Sequence, residues 1–332
     1  MALTPTIYGN AVAKFGKNDQ YEVRDKSYGM FAMAKKNAGS LIDAEVAEKR
    51  KSLSQSVVIP VLNKGHVTTS GGRVIGSIPA SLGTSAFVTL ATQTFQREFA
   101  LQPAENYSNE IKYQQEMVRT MREAQLMLLS DIETYIYTQV NAARSQADNS
   151  GAYPIVANAF RVPNTDYQKV LNMLSAIYRA NDYNGIDIGL VANPMYESEI
   201  MEILEHGTAN DQNKKLRIAG KDIKFSNAIV PGADTHVFLS TTEAGYEVLN
   251  FNEPDAVLKT KKSDAEYKGT INLPLLGMEF GLYVQKDYIA NPAGTASTLT
   301  EKYSLATDLT VVTPYLSTPA TDPAANMRFE LI

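Results

Sequence analysis

The sequence predicts an α+β fold built around one long helix, and three patterns support this prediction. Neither proline nor glycine lies between residues 104 and 150, where apolar residues recur in alternating steps of three and four. Residues 152–250 alternate helical and strand patterns, which is typical of an α/β unit. Residues 55–103 and 256–290 carry mainly strand patterns.

The long helix is predicted over residues 105–148, with Ser108 as its N-cap. At 1.5 Å per residue it would be about 60 Å long, roughly twice the diameter of a small domain. We therefore expect it to join parts of an extended subunit or to lie in an assembly. Its predicted buried face comprises Ile111, Met117, Val118, Met121, Ala124, Gln125, Leu128, Leu129, Ile132, Tyr135, Ile136, Gln139, Val140, Ala142 and Ala143, and its predicted charged face comprises Lys112, Glu116, Arg119, Glu123 and Glu133.

Composition and charge exclude several classes of protein. The 332 residues carry a formal charge of −5, so no overall basic character indicates nucleic-acid binding. The absence of cysteine excludes disulfides, zinc–thiolate sites and thiol catalysis. No apolar stretch has the length of a signal peptide or a membrane span, so we expect a soluble protein, made in a cytoplasm and without membrane contact.

Residues 1–54 are predicted to form an N-terminal arm with a short helix at residues 41–53. Residues 1–64 hold ten Lys or Arg against six Asp or Glu, a net charge of +4, which is typical of a solvated arm of mixed charge. The aromatic residues Phe15, Tyr21 and Tyr28 follow no regular period and need a partner surface for burial. They could stack on single-stranded nucleic acid, but anchoring at a subunit interface is the favoured interpretation.

Residues 55–103 predict an extended hairpin. A strand at residues 56–62 is interrupted by Pro60, which suits an edge strand, and a turn rich in Gly, Ser and Thr separates it from a β-rich run at residues 86–99. Polar residues occupy both alternating positions of this run, so no consistently apolar face is expected. Because a lone hairpin is marginally stable, we expect it to project and pair with a neighbouring molecule.

The remaining segments predict helices and strands in alternation. Thr165 is the predicted cap of a helix at residues 166–181, and Asn193 with Pro194 opens another helix that ends before Gly207. The predicted strands are residues 186–192, 221–225, 236–240, 245–250, 256–261, 267–273 and 278–287, and a β-prone segment follows at 309–312.

Motifs for catalysis, cofactors and metals are absent from the sequence. His66, His206 and His236 lie far apart in unrelated contexts, and no His-Glu-x-x-His, P-loop, dinucleotide-binding or nucleophile-elbow pattern occurs. The acidic residues at positions 197, 199, 202 and 205 lie opposite apolar ones and predict a solvated helix face. We therefore expect no enzyme activity, no cofactor and no metal, and favour a structural or assembly protein.

Three consecutive segments carry a family resemblance. Residues 188–196 (IGLVANPMY) form a strand that ends in Asn-Pro and opens a helix. Residues 216–231 (LRIAGKDIKFSNAIVP) combine a Gly turn, a strand followed by Ser, and a hydrophobic-Pro pair. Together with residues 241–250 (TTEAGYEVLN) they resemble the major capsid proteins of tailed bacteriophages, the Hong Kong 97-type family. One departure lies at residues 240–242, where relatives often carry Gly-Asp.

The resemblance implies a Hong Kong 97-like capsid fold. Its parts would be an N-terminal arm (1–54), an extended hairpin or E-loop (55–103), a spine helix of the P-domain (104–151), an α/β A-domain (152–255), and P-domain strands with a C-terminal segment (256–332). It implies that the arm and the spine helix face the shell interior and that the hairpin lies over an adjacent subunit. The predicted inter-subunit contacts are Phe15, Tyr21, Tyr28, Lys64, Arg73, Phe87, Phe95 and Arg97.

The resemblance also implies a function and partners. The chain would self-assemble in the host bacterial cytoplasm, through hexamers and pentamers, into the icosahedral shell of a virion. That shell would enclose double-stranded DNA without sequence specificity, together with portal, scaffolding or decoration proteins. Some relatives form covalent cross-links through a lysine on the E-loop. Since Lys64 is the only lysine in residues 55–103, we expect no cross-linking here.

Two other interpretations stay open. An encapsulin-type bacterial compartment has a similar fold and would package an enzyme in place of a genome, so nucleic acid in purified particles would distinguish the two. A soluble enzyme with a long helix would instead be a monodisperse monomer of 36.4 kDa.

Overall fold

A computed structural model describes residues 27–37, 57–62, 85–90, 92–102, 110–185, 187–197, 217–218, 221–230, 237–242, 245–251, 266–273, 278–290, 297–314, 316 and 319–332. The predicted short helix at residues 41–53, the predicted strand at 256–261 and most of the predicted helix after Pro194 lie outside the described residues. These three expectations stay predictions.

The described α-helices are α1 (Gly29–Lys36), α2 (Glu110–Ala142) and α3 (Tyr167–Ala180). The described strands are β1 (Val57–Leu62), β2 (Ser85–Leu90), β3 (Gln93–Leu101), β4 (Ile155–Val156), β5 (Ala159–Val162), β6 (Ile188–Ala192), β7 (Arg217–Ile218), β8 (Lys221–Phe225), β9 (Val237–Thr242), β10 (Glu247–Phe251), β11 (Glu266–Leu273), β12 (Met278–Ala290), β13 (Ser297–Val312) and β14 (Asn326–Leu331). No helix in the described part of the chain is both long and apolar enough to cross a bilayer.

The predicted long helix is α2, whose 33 residues span about 50 Å. Its predicted apolar stripe is confirmed in the middle of the helix, where Met121, Leu128, Ile132 and Ile136 are fully buried. Nearer the two ends, Ile111, Gln139 and Ala142 were predicted to be buried and are exposed. The apolar stripe is therefore buried most completely in the central turns of α2.

The C-terminal end of α2 lies at Ala142, six residues before the predicted end. There the Nη1 of Arg144 donates to the carbonyl of Asn141 at 2.6 Å, and the Ser145 amide donates to the Asn326 carbonyl at 2.8 Å. The second bond is made outside the helical pattern, so the chain turns toward β14 instead of continuing the helix. The predicted N-cap Ser108 lies outside the described residues.

Helix α1 replaces part of the predicted extended arm. Its eight residues bury Met30, Phe31, Met33 and Ala34, and it packs against β6, β8 and α2. A helix this short carries barely two repeats of the apolar period, so the sequence pattern did not reveal it.

An antiparallel sheet of five strands packs against α2. β13 pairs with β3, β10 and β12, and β12 pairs with β11. The predicted strand at residues 278–287 is β12, in which the alternating apolar residues Phe280, Leu282 and Val284 are buried. β13 is 16 residues long, whereas the sequence predicted strand only at residues 309–312. Its inward positions include Glu301 and Thr307, and these polar residues weaken the alternation that identifies a strand.

The predicted β-rich run at residues 86–99 divides into two strands that belong to different sheets. β2 pairs with β1 in an antiparallel register that places Leu62 opposite Ser85, which confirms the two strands of the predicted hairpin. This pair bonds to no other described strand. β3 instead joins β13 and packs against α2. The expectation that the whole run projects is wrong for β3, because Phe95 and Leu101 are buried toward the helix.

The α/β unit is built on a sheet of seven strands in the order β4-β5-β14-β9-β6-β8-β7. The apolar face of α3 covers one side of this sheet, with Val170, Leu174 and Tyr178 fully buried among the side chains of β5, β6, β9 and β14. Helix α1 and the end of α2 cover the opposite side. The prediction that Thr165 caps this helix is wrong. A 3₁₀ turn at Asn164–Asp166 precedes α3, and no side chain caps the first turn of α3.

Two strands pair across the predicted boundaries of the α/β unit. β10 lies within residues 152–255 but pairs with β13 of the five-stranded sheet. β14 lies beyond residue 255 but enters the seven-stranded sheet between β5 and β9. The chain therefore crosses between the two sheets more often than the linear division predicted.

Candidate assembly surface

The described residues offer open surfaces and no recognisable centre for catalysis. No group of three or more His, Cys, Asp or Glu within the described part of the chain could hold a metal ion. One open groove of about 400 Å³ lies on the outer face of the five-stranded sheet, between Glu98, Tyr283 and Lys302. Another of about 400 Å³ lies along the first turns of α2, beside Lys112 and Arg119. The groove on α2 is lined by polar and charged side chains, and the groove on the sheet combines such side chains with aromatic ones. Such surfaces suit contact with another macromolecule.

Two of the predicted inter-subunit residues, Phe95 and Arg97, lie on β3 and contact α2 of the same chain. The Phe95 ring packs edge-on against Tyr135, with 5.4 Å between ring centroids. The Arg97 guanidinium forms an ion pair with Asp131. These contacts bind β3 to the long helix. Contact with a neighbouring subunit stays a prediction for both residues.

The other predicted contact residues fall mostly outside the described part of the chain. Tyr28 is half-buried and forms a single antiparallel bridge with Ser226, directly before α1. Phe87 lies on β2 opposite Pro60. Phe15, Tyr21, Lys64 and Arg73 lie outside the described residues, so their role stays a prediction.

The predicted charged face of α2 is wrong at Glu133. It was predicted to face the shell interior, but only 2% of it is exposed. Its two carboxylate oxygens accept hydrogen bonds from the amides of Met30 (2.9 Å) and Phe31 (2.8 Å), which lie in the first turn of α1. The N-terminus of a helix carries unsatisfied donors and a partial positive charge, so a carboxylate is a suitable partner. Because α1 was not predicted, the partner of Glu133 was not predicted either.

Burial raises the pKa of Glu133, although hydrogen bonds from Ser226, Met30 and Phe31 lower it in part. The folded state therefore holds this proton more tightly than the unfolded state does. As pH rises from the ordinary value of 4.5 through the raised pKa, Glu133 should lose its favourable contribution to the free energy of unfolding. We expect Glu133→Gln to remove this part of the pH dependence, as measured by urea unfolding of both proteins across that pH range.

Glu133→Ala is the matched comparison. It removes both acceptors of the α1 amides, and each unsatisfied buried donor costs about 1–3 kcal/mol. Glu133→Gln keeps one acceptor and should unfold at a higher urea concentration than Glu133→Ala. Equal midpoints for the two variants would show that the amides of α1 do not depend on this side chain.

A second buried carboxylate fixes the start of α2 on the five-stranded sheet. Glu301 is fully buried, and its Oε2 accepts hydrogen bonds from the hydroxyls of Tyr113 (2.9 Å) and Tyr303 (2.7 Å). Lys286 Nζ lies 3.0 Å from the other carboxylate oxygen. Burial raises the pKa of Tyr303, and its hydrogen bond to Glu301 raises that pKa further. Tyr303 therefore remains a neutral donor. The only sequence signal for this cluster is a charged residue at an inward position of a strand.

A third polar contact joins the two sheets through β14. Asn326 donates its side-chain amide to the Gly245 carbonyl at 2.7 Å, and its Oδ1 accepts the Thr241 hydroxyl at 2.8 Å. Gly245 lies between β9 of one sheet and β10 of the other. Asn326 therefore fixes the chain at the point where it passes between the sheets.

Comparison with known proteins places this architecture among capsid folds. No protein-family model matches the sequence, and no curated protein matches it. The capsid asymmetric unit of cyanophage A-1(L) is similar in structure, with a TM-score of 0.53 and 12% sequence identity over 90% of this chain and 92% of that one. The fold is that of a phage capsid protein. This confirms the predicted α+β fold and its likeness to capsid proteins of phages.

Other capsid structures align over similar shares of the chain. The capsid of Ralstonia phage GP4 aligns with a TM-score of 0.47 and 10% identity, covering 84% of each chain. The capsid of a native GTA particle aligns with a TM-score of 0.46 and 12% identity, covering 88% of this chain and 91% of that one.

Proposed function

We propose that this chain is a structural capsid protein that self-assembles into the icosahedral shell around the double-stranded DNA genome of a tailed phage. The observation that carries the proposal is the structural similarity to the cyanophage A-1(L) capsid over 90% of the chain. The chain would act without catalysis, cofactor or metal. Its place would be the virion, after assembly in the host cytoplasm.

The proposed roles of the elements follow from their contacts. Helix α2 contacts β3 and β13 of one sheet and β14 of the other, so it would connect the two sheets as a spine helix. The β1–β2 pair, which bonds to no other described strand, would be the E-loop that lies over an adjacent subunit. The five-stranded sheet would belong to the P-domain and the seven-stranded sheet to the A-domain.

The proposed partners are copies of the same chain and other virion components. A closed shell needs many contacts in which different patches meet around five-fold and six-fold axes. Hexamers and pentamers of this chain would supply them, and portal, scaffolding or decoration proteins would join the shell. The packaged DNA would be held through its backbone, without sequence specificity.

Deleting residues 65–84 is expected to abolish shell assembly while leaving the subunit folded. The β1–β2 register places Leu62 opposite Ser85, so Asn63 and Lys64 can close the shortened hairpin as a two-residue turn. Thermal unfolding should stay cooperative, and electron microscopy should show no closed shells. Closed shells formed by the deletion variant would contradict the role proposed for the hairpin.

A further inference from the structure

Three arginines surround one glutamate where α2 ends over the seven-stranded sheet. Arg161 on β5 stands opposite Glu330 on β14, and its Nη1 lies 2.8 Å from Glu330 Oε2. Arg328 lies two residues before Glu330 on the same strand, so it shares that sheet face, and its Nε lies 2.7 Å from Glu330 Oε1. Arg144 follows α2 and lies within electrostatic range of both Arg328 and Glu330.

The positive charge of this arginine cluster (Arg144, Arg161 and Arg328) is only partly neutralised. Apart from Glu330, the partners that hold the arginines are neutral. Arg144 donates to the carbonyls of residues 141, 157 and 158, and Arg328 donates to the Tyr137 hydroxyl and the Asn141 side chain. Three guanidinium groups beside one side-chain carboxylate leave two positive charges, in a chain whose net charge is −5.

The local electrostatics of the arginine cluster favour a bound anion. Burial lowers the pKa of Arg144, and the charge of Arg328 lowers it further, while Tyr137 and Glu330 raise it in part. The cationic groups therefore repel one another, and an anion placed between them would relieve that repulsion. Hydrogen bonds to neutral partners hold the guanidinium planes of Arg144 and Arg328 in position, so these two side chains would lose little freedom on binding.

The second half of α2, beside the arginine cluster, carries little repelling charge. Over residues 126–142 most outward side chains are neutral, including Met127, Ser130, Thr134, Thr138 and Gln139. This stretch contains two acidic residues: Glu133 is buried, and the half-exposed carboxylate of Asp131 forms an ion pair with Arg97. The first half of the helix instead exposes Glu123 and, in part, Glu116. A polyanion lying along the second half of α2 would therefore meet one exposed carboxylate, that of Asp131, whose charge is offset by Arg97.

We propose that Arg144, Arg161 and Arg328 bind a phosphate group of the packaged DNA backbone, with the second half of α2 lying alongside the duplex. This inference rests on the proposed function and names the residues of one of its DNA contacts. The guanidinium fork matches two oxygens of a phosphate group, and contact with the backbone carries no base preference. An acidic peptide would meet the same charges, but the neighbouring helix face offers it little apolar anchorage beyond Met127.

The test measures binding of the full-length purified protein to a short fluorescein-labelled DNA duplex at several salt concentrations. We expect Arg161→Gln to weaken binding about tenfold at low salt and to reduce the slope of log affinity against log salt by about 0.9. Glu330→Gln should strengthen DNA binding, although it removes two ion pairs. Arg161→Lys should keep the salt slope, and Lys169→Gln, on α3 at the other side of the seven-stranded sheet, should leave affinity close to that of the wild type.

The Glu330→Gln result separates DNA binding from a structural role, since loss of a structural ion pair would not increase affinity. Thermal unfolding checks that each variant is folded, and Glu330→Gln carries the test if Arg161→Gln does not fold. Unchanged affinity and salt slope in both variants would overturn the inference, while shells formed by the wild type would leave the proposed function standing. Variant-sensitive binding of poly-glutamate without binding of the duplex would also overturn it.

Discussion

Replacing Leu128 by proline is expected to destabilise the subunit more than any other single change considered for this chain. Leu128 is fully buried in the middle of α2. Proline there removes the amide that bonds to the carbonyl of residue 124, and its ring clashes with that carbonyl, which costs about 3 kcal/mol or more. Loss of the buried leucine side chain adds roughly 2–5 kcal/mol. The sum is comparable to the whole stability of a typical domain.

The consequence for assembly follows from the contacts of α2 with both sheets. Urea unfolding should show no cooperative native transition for Leu128→Pro, and electron microscopy should show no shells. Met127→Pro breaks the helix at an exposed position, and Leu128→Ala removes only the buried side chain, so together they separate the two effects. Met127→Ala should be close to neutral, because Met127 is 49% exposed. Closed shells from Leu128→Pro would show that α2 does not serve as the spine of the subunit.

Replacing Gly245 by alanine is expected to have the second largest effect. A Cβ atom at this position would lie 1.8 Å from Thr241 Oγ1 and 2.7 Å from Asn326 Oδ1. Neither distance is compatible with van der Waals contact, so the Thr241 hydroxyl must move and its bond to Asn326 must break. Overpacking costs about 1–3 kcal/mol, and each lost hydrogen bond about 1 kcal/mol more. We therefore expect a loss of roughly 3 kcal/mol in the free energy of unfolding.

A double variant identifies the cause of that loss. Thr241→Ala removes the hydroxyl nearest to the new methyl group, so the double variant Gly245→Ala/Thr241→Ala should be less destabilised than the sum of the single changes. Urea unfolding of all four proteins gives the coupling energy. Strict additivity would show that the clash with Thr241 is not what destabilises Gly245→Ala.

The parts of the fold that could be predicted are those in which one strong period runs through an uninterrupted segment. Helix α2 and strand β12 both place apolar residues at the inward positions, and their burial follows the predicted pattern. Strand β6 was predicted from a continuous apolar run, which has no period but is typical of a strand buried on both faces. In each case the hydrophobic pattern depends only on the segment itself.

The parts that were missed depend on contacts between distant segments. Strand β13 carries Glu301 inward because Tyr113, Tyr303 and Lys286 supply partners for the carboxylate. Glu133 looks like a member of a solvated helix face until the N-terminus of α1 is placed against it. The hydroxyl of Tyr113, 188 residues from Glu301 in the sequence, and the amides of an unrecognised helix leave no periodic signal in the sequence.

The candidate assembly surface also has a part that the sequence predicted and a part that it did not. Two of the predicted contact residues, Phe95 and Arg97, lie where β3 meets α2 in the same chain. The arginine cluster, by contrast, unites residues from positions 144, 161 and 328, and only the parallel pairing of β5 with β14 brings two of them together. No local spacing could have indicated that site.

Assembly into a closed shell is the main claim for this chain, and electron microscopy of the purified full-length protein can decide it. The expected result is closed particles of uniform diameter with icosahedral symmetry, built from pentamers and hexamers of one chain. A monodisperse monomer of 36.4 kDa at high protein concentration, with no closed particles in any field, would contradict the claim.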